Sequence, residues 1–485
     1  MKRADILLKN AVIVTMDQGR RIIDQGVVAV KGRYIAAVGG EELQKEFQGE
    51  REIDCKGNIL LPGLINCHSH AGHCLMGKLE SDTMKNWWPM LIQVYENYAD
   101  SDFWYTDGKL HGASAIHNGI TTTVNVMGST PMGDCPEISI SHGTGYIQTG
   151  GREILGVGIP YGESYPKRYT RWKDGRQVEV RASYDDMLAG TEETLRRMQG
   201  AFDGLTHVFV TPHQLLMGHA MGESNPGNLS KLTPMELDIN QKVRQLAQKY
   251  NTQIYTDTYG GWITLAYTDK ENMLLGPDVL IGMEHVAAAN YKELEIFRQT
   301  GTKMYYTAEG YYKRTPISEA VEMGIPVGIT TNGCAPRTTL DLLESLRRVL
   351  LSERIFHDDN RYLPAMKALE MVTVDAAKCI GFEESLGSIE PGKLADLVQL
   401  DWMKDKFFPQ LSPIDKIVYE GSGGDFSLAI VNGKIVMEEG RLTGVDEEEI
   451  LEEADQIHRK VVRDCHLEAM ACPVIFGRTR VEKTD

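Results

Sequence analysis

The sequence predicts an α/β protein, a (β/α)8 TIM barrel inserted into a small β-sandwich formed by both chain ends. Three observations predict it. Short alternating strands fill the chain from Ala4 to Leu61; after Pro62-Gly63 eight apolar strands alternate with long helical stretches; and from about Gly387 the β texture returns. At 485 residues with 42% hydrophobic content, the chain is long enough for a barrel used as one unit plus a second module.

Taken in order, ADILLKNAVIV, GVVAVKGRYIAAVG and REIDCKGNILL are strands parted by Gly and Asp/Gln turns, and only Glu41 to Phe47 reads as helix. The barrel strands are LINCHSH, ITTTVNVMG, ILGVGIPYG, THVFVTPH, TQIYTDTYG, VLIGMEH, KMYYTAEG and PVGITTNG, the count of a (β/α)8 barrel. Between them SYDDMLAGTEETLRRMQGAF, PMELDINQKVRQLAQKY, NYKELEIFRQTG and TLDLLESLRRVLLSERI carry helical periodicity, acidic starts and Gly or Asn stops. GSIEPGKLADLVQLD and SLAIVNGKIVMEEGRLTG are again strands, and a charged helix runs from Glu447 to about Asp464. The expected division is 1–62 and 386–445 for the two parts of the sandwich, 63–385 for the barrel, and 446–485 for a C-terminal helix and tail that could serve as an intersubunit arm. An insertion at 161–183, rich in Tyr, Arg and Lys, follows the third strand, where it is a lid over the pocket, a solvated excursion or an oligomer contact.

A formal net charge of −17 repels phosphate backbones and anionic membranes, so neither nucleic acid nor a membrane is an expected partner. The apolar positions of MKRADILLKNAVIV are broken by Asp5, Lys9 and Asn10, unlike a signal peptide, and the expected location is cytoplasmic. No apolar run approaches the ~20 residues that cross a bilayer. The eight cysteines contain no C-x-x-C pair and read as reduced, without a disulfide framework or zinc knuckle.

Barrel active sites collect where strands end, so ionisable residues there are the first candidates. The first strand ends His68-Ser69-His70; side chains two apart on a strand share a face and can chelate one ion. His213 ends the fourth strand and His285 the sixth. One histidine at such a point is often a satisfied core group, but four on one barrel favour a metal site. His73 lies in the following loop and reads as a supporting or structural residue. Asp257 on the fifth strand is a plausible hard oxygen ligand, and Asn332 on the eighth a weaker one, since its carbonyl is neutral and takes no proton. A general base for metal-activated water is therefore His285, His213, or Asp257 if it is not itself a ligand. Zinc is the default ion by availability; iron, manganese and cobalt suit the same donors. Tyr161, Tyr255, Tyr259, Trp262, Tyr305 and Tyr306 fall at or near strand ends. About half are expected to be packing residues, and Tyr161, Tyr255, Tyr259 and Tyr305 are the candidate substrate contacts for an aromatic or heterocyclic molecule.

The run Leu61-Pro62-Gly63-Leu64-Ile65-Asn66-Cys67-His68-Ser69-His70, the barrel, and the block from Leu386 to Val398 (LGSIEPGKLADLV) resemble the amidohydrolase superfamily over almost the whole chain. The resemblance implies a metal-dependent hydrolase of C–N bonds, less often C–halogen, C–S or P–O bonds, of small molecules. Deaminases and imidazolonepropionase-like members carry H-x-H on strand one, His on strands five and six, and Asp on strand eight. Here Asp257 stands where the strand-five histidine belongs, Asn332 replaces the strand-eight aspartate, and Tyr255 and Thr258 occupy the positions of the deaminases' H-x-x-E pair. No lysine ends the fourth strand, so a carboxylated-lysine binuclear centre is not expected. The stretch from Asn332 to Arg337, with Leu363-Pro364 and the run from Leu369 to Lys378, is similar to the phenylurea and molinate hydrolases.

The expected function is thus hydrolysis of an amide, urea or carbamate-like C–N bond of a small aromatic or heterocyclic molecule. One divalent ion would be bound by His68, His70 and Asp257, with His285 in or beside that set. Asn332 would orient water or substrate, and His213 would polarise the carbonyl or donate a proton to the leaving amine. The alternatives are a deaminase or dechlorinase of an N-heterocycle, and a repurposed barrel with a binding, lyase or isomerase role. Relatives of this layout are commonly dimers or larger, so a homo-oligomer is expected.

Overall fold

Eight parallel strands lie side by side in chain order and close almost completely into a barrel: Leu64–His70, Ile120–Val126, Arg152–Ile159, Thr206–Pro212, Ile254–Asp257, Val279–Gly282, Lys303–Tyr306 and Val327–Ile329. The computed structural model describes residues 1–79, 86–130, 132–161, 165–173, 176–217, 232–258, 261–268, 270, 273–282, 290–308, 315–335, 338–471, 474–475 and 479–480. Alternation along the strands separates two layers. Val124, Val126, Ile154, Phe209, Tyr255, Leu280 and Tyr305 join one apolar cluster, whereas Leu155, Val157, Ile159, Val208 and Val210 join the larger one that packs under the helices.

The seam between the first and eighth strands is bridged by other groups. Asn66 donates through Nδ2 to Thr331 Oγ1 (2.8 Å) and accepts from Thr331 N (3.2 Å). At the opposite end of the seam, Val372 O accepts from Ile65 N (2.9 Å) and Met371 O from Ile329 N (3.0 Å). These bonds satisfy backbone groups that burial would otherwise strand.

The helices begin where the sequence supplies caps. Ser183 and Thr233 each form a capping box, with Asp186 before Tyr184–Met198 and with Glu236 before Pro234–Tyr250. Asn290 does the same with Glu293 for Tyr291–Thr300, which stops at Gly301.

Both chain ends enter one mixed nine-stranded sheet, in which Leu397–Leu400 pairs antiparallel with Ile59–Pro62. That sheet branches at the long first strand, Lys2–Val14, which pairs with Ile22–Lys31, Phe47–Asp54 and Ile59–Pro62. Ile6 and Leu8 face one apolar cluster and Ala4 and Leu7 another, so the strand is covered on both faces. A buried ion pair joins sheet to barrel: Arg152, at the start of the third barrel strand, meets Asp396, which also accepts from Asn432 N (2.8 Å).

The 161–183 insertion contains a hairpin, Lys167–Lys173 with Arg176–Ala182. Arg171 clamps Asp134 through both guanidinium nitrogens (2.7 and 2.8 Å), and Trp172 stacks on Tyr98. The C-terminal helix Glu447–Asp464 packs on its own barrel: Lys109 pairs with Glu453, His458 Nδ1 lies 2.6 Å from Leu75 O, and Tyr98 donates to Asp464 O (2.6 Å). The helix half of the suggested intersubunit arm is therefore engaged within the chain, and most of the tail lies outside the described residues. Among the described residues no helix is long and apolar enough to cross a membrane.

Candidate active site at the strand ends

Three donor atoms from the first and eighth strands converge at the barrel mouth. His68 Nε2 and His70 Nε2 are 3.1 Å apart, and Asn332 Oδ1 lies 2.8 Å from the first and 3.0 Å from the second. The strand period turns both imidazoles the same way. Asn332 (φ +53°) and Gly333 (φ +85°) bend the chain sharply at the eighth strand's exit, a left-handed turn that Asn and Gly tolerate best. Donors bound to one ion at ~2.1 Å with angles of 90–110° stand about 3.0–3.4 Å apart. The two imidazole nitrogens stand at the spacing of ligands that share a metal ion, and Asn332 Oδ1, 2.8 Å from His68 Nε2, sits closer than that, beside them.

The rings are held from behind. Tyr255 Oη meets His68 Nδ1, and an Nδ1–H pointed at this oxygen leaves Nε2 with the lone pair a metal needs. Tyr305 stacks on His68 (centroids 4.7 Å apart, rings 17° from parallel) and donates its hydroxyl to Asp257 Oδ1. Tyr255 and Tyr305 are 1% and 0% exposed, so these two candidate substrate contacts sit in the barrel interior with hydroxyls on His68 and Asp257.

Asp257 ends the fifth strand at 8% exposure, and its main chain is laced to the fourth: Asp257 N donates to His213 O (3.3 Å) and Leu215 N to Asp257 O (2.7 Å). His213 accepts at Nδ1 from Tyr161 N (3.3 Å), which puts the proton of the neutral ring on Nε2. The exposed Trp88 ring stacks over His213 at 6.2 Å. Tyr161 thus meets His213 through its backbone, and its side chain is half-buried. His285 and Tyr259 lie outside the described residues. Trp262 is buried, with no exposed surface, inside the short helix Trp262–Ala266.

Two features escaped sequence reasoning. Cys74, in the short helix His73–Met76, and Cys334, in the loop after the eighth strand, have Sγ atoms 3.0 Å apart beside the mouth; all seven cysteines among the described residues are free thiols. The second is a fully buried set behind the first strand, Asp107, His111 and His142, whose ligand-type atoms lie within 4.8 Å of one another. The spacing Asp107-x-x-x-His111 on one helix was the available signal, since residues four apart share a helix face.

The model of the amidohydrolase family matches residues 59–213 and 240–436. The chain belongs to the amidohydrolase family. As the family's chemistry requires, it is a metal-dependent hydrolase acting on carbon–nitrogen bonds. A 5-methylthioadenosine/S-adenosylhomocysteine deaminase of Syntrophobacter fumaroxidans is 27% identical over 472 residues, covering 95% of this chain and 99% of that one. A 5'-deoxyadenosine deaminase of Methanobrevibacter smithii is 28% identical over 479 residues, covering 93% and 96%. Among solved structures, an adenosine deaminase from Xanthomonas campestris with bound zinc superposes with a TM-score of 0.77 at 19% identity, covering 95% of this chain and 99% of that one. Atrazine chlorohydrolase from Arthrobacter aurescens, complexed with zinc, superposes with a TM-score of 0.77 at 20% identity, covering 93% and 100%. These structures share the fold of the amidohydrolase barrel described above.

Proposed function

We propose that this amidohydrolase removes an amine by hydrolysis from a planar carbon of a small N-heterocycle, with 6-aminopurine nucleosides as the first class to test. The observation that carries the proposal is the convergence of His68 Nε2, His70 Nε2 and Asn332 Oδ1 at the strand ends. The adenosine-type names of relatives matched over nearly their full length support the substrate class.

In this reading His68, His70 and Asp257 bind one divalent ion, zinc by default, with His285 in or beside the set. When bound, such an ion supplies Lewis acidity that activates water and polarises the carbon under attack. Asn332 stays neutral through the cycle and orients water or substrate beside the two imidazoles. Tyr305 holds Asp257 in place through its hydroxyl, and Tyr255 holds the His68 ring. Both tyrosines therefore act through other residues and not on substrate. His213, with its proton on Nε2 and covered by Trp88, offers that N–H as a hydrogen bond to the leaving amine. Cytoplasmic location and homo-oligomeric assembly belong to the same proposal, the second resting on the layout common to the family.

Hydrolysis of amide, urea or carbamate bonds is the second reading. It is favoured by Asn332, Tyr255 and Thr258 standing where deaminases carry Asp and the H-x-x-E pair. One experiment separates them: ammonia release from adenosine, 5'-deoxyadenosine, 5-methylthioadenosine and S-adenosylhomocysteine, run beside amine release from aryl amides and ureas. The proposal expects turnover of the purine set, reduced at least about 100-fold in Asp257→Asn. Turnover of aryl amides or ureas alone favours the second reading, and no turnover of either set favours a repurposed barrel.

A further inference from the structure

We infer that Asp107, His111 and His142, with Glu153, are positioning residues that pre-align the His68-Ser69-His70 strand, and that they do not form a second metal centre. The inference rests on the reading of His68 and His70 as metal ligands.

The helices Ser101–His117 and Pro136–Gln148 cross in direct backbone contact: a Cβ at Gly108 would stand 2.2 Å from His142 O, and one at Gly145 2.1 Å from Tyr105 O. This closeness brings Asp107, His111 and His142 together behind the first three barrel strands. Each member then reaches toward the strand that carries the imidazoles. Asp107 accepts from Gly72 N at Oδ2 (2.6 Å) and from Leu75 N at Oδ1 (3.0 Å), fixing the turn that leaves His70. That turn has φ +92° at Gly72, where a Cβ would also strike the Tyr95 ring. His111 Nε2 lies 3.2 Å from the hydroxyl of Ser69, the residue between the two imidazoles.

His142 braces the set. Its Nε2 is 3.1 Å from Asp107 Oδ2 and its Nδ1 is 2.9 Å from Glu153 Oε1, which also accepts from Asn125 Nδ2 (2.6 Å). Nε2 bonds to Asp107 and Nδ1 faces Glu153 at ion-pair distance, and these two carboxylates favour the imidazolium, which already occupies the cation's place. Burial opposes that charge, but Glu153 and Asp107 outweigh it and keep His142 protonated up to about pH 10. Asp107 meanwhile directs one oxygen at each of two backbone amides, and its Oδ2 also faces His142, so three of its about four acceptor positions hold the turn behind His70 and the imidazole. With both carboxylates ionised, the set holds one more negative than positive charge. Removing the imidazolium alone raises that buried excess to two, whereas removing Glu153's charge with it returns the excess to one, as in the wild type.

The test uses the full-length protein, with zinc affinity read by chelator competition and folding checked by circular dichroism. His142→Gln is expected to weaken zinc binding about tenfold, the usual cost of losing an outer partner, and adding Glu153→Gln to recover most of that loss. Ser69→Ala, which removes only one hydroxyl, is the second variant should His142→Gln not fold; it is expected to weaken zinc binding several-fold. Unchanged zinc affinity in a folded variant overturns the inference, as does a wild-type content of two equivalents that falls to one in His142→Gln. His68→Asn is the control: full zinc retention there defeats the metal-site reading itself, whereas loss there with none in His142→Gln or Ser69→Ala defeats only the positioning role.

Discussion

His142 and His111 titrate in opposite directions, and the pH dependence of stability should carry both signatures. His142 stays protonated to about pH 10 in the fold against an ordinary value near 6.5, so its stabilisation is complete below about pH 6.5 and is lost as pH rises toward 10. Burial, opposed by Asp107, pushes His111 down to about 4, so its neutral form stabilises above about pH 6.5 and that stabilisation is lost as pH falls toward 4. Thermal unfolding midpoints across pH 4–10 are expected to lose the alkaline arm in His142→Gln and the acid arm in His111→Gln; parallel curves for variant and wild type would contradict these assignments. Tyr255→Phe removes the oxygen on His68 Nδ1 and is expected to weaken metal binding about 10–100-fold by chelator competition, with little change in fold because the ring is kept. An unchanged affinity would show that stacking alone orients His68. The H-x-H imidazoles, Asp257 and Asn332 were legible because strand period and strand ends are local signals. The hydroxyl partners Tyr255 and Tyr305 were read as substrate contacts, since a sequence fixes which strand end a residue is near but not which neighbour its far atom reaches. Asp107 and His111 share a helix face that their spacing shows, but His142 joins them only because two helices cross glycine against backbone, a tertiary event with no local trace.

Helices and barrel strands were legible for the same local reason. Ser183 and Asp186, or Asn290 and Glu293, announce helix starts in the chain itself. Ser183→Ala removes the hydroxyl that caps Asp186 N and is expected to cost about 1 kcal/mol, read by denaturant unfolding with an unchanged m value. A loss under a few tenths would mean that Asp186 caps alone. The hairpin of the 161–183 insertion was not legible as strands: Val178, Val180 and Ala182 alternate with Glu179 and Arg181 in its second strand, but the first, Lys167–Lys173, carries charged residues on both faces and gives no period. The barrel seam was hidden too, since it is bridged by the Asn66 side chain and by carbonyls of residues 371 and 372 instead of a ladder.

The sheet made by both chain ends meets the barrel at the buried Arg152–Asp396 pair, whose side chains are 1% and 3% exposed. Truncating one partner strands the other's charge, so Asp396→Ala is expected to destabilise the whole chain by about 3–5 kcal/mol. Asp396 was legible as part of the returning GKLADLV block, but its partner was not, because 244 residues separate them. The proposed chemistry turns on one ion at the mouth. The decisive measurement is metal content per chain by elemental mass spectrometry, for protein made in zinc-supplemented medium and purified without chelators, beside His68→Asn and His70→Asn. One equivalent in the wild type, lost in both variants, is the expected result. Metal retained in full by the variants, or none bound by the wild type, would contradict it.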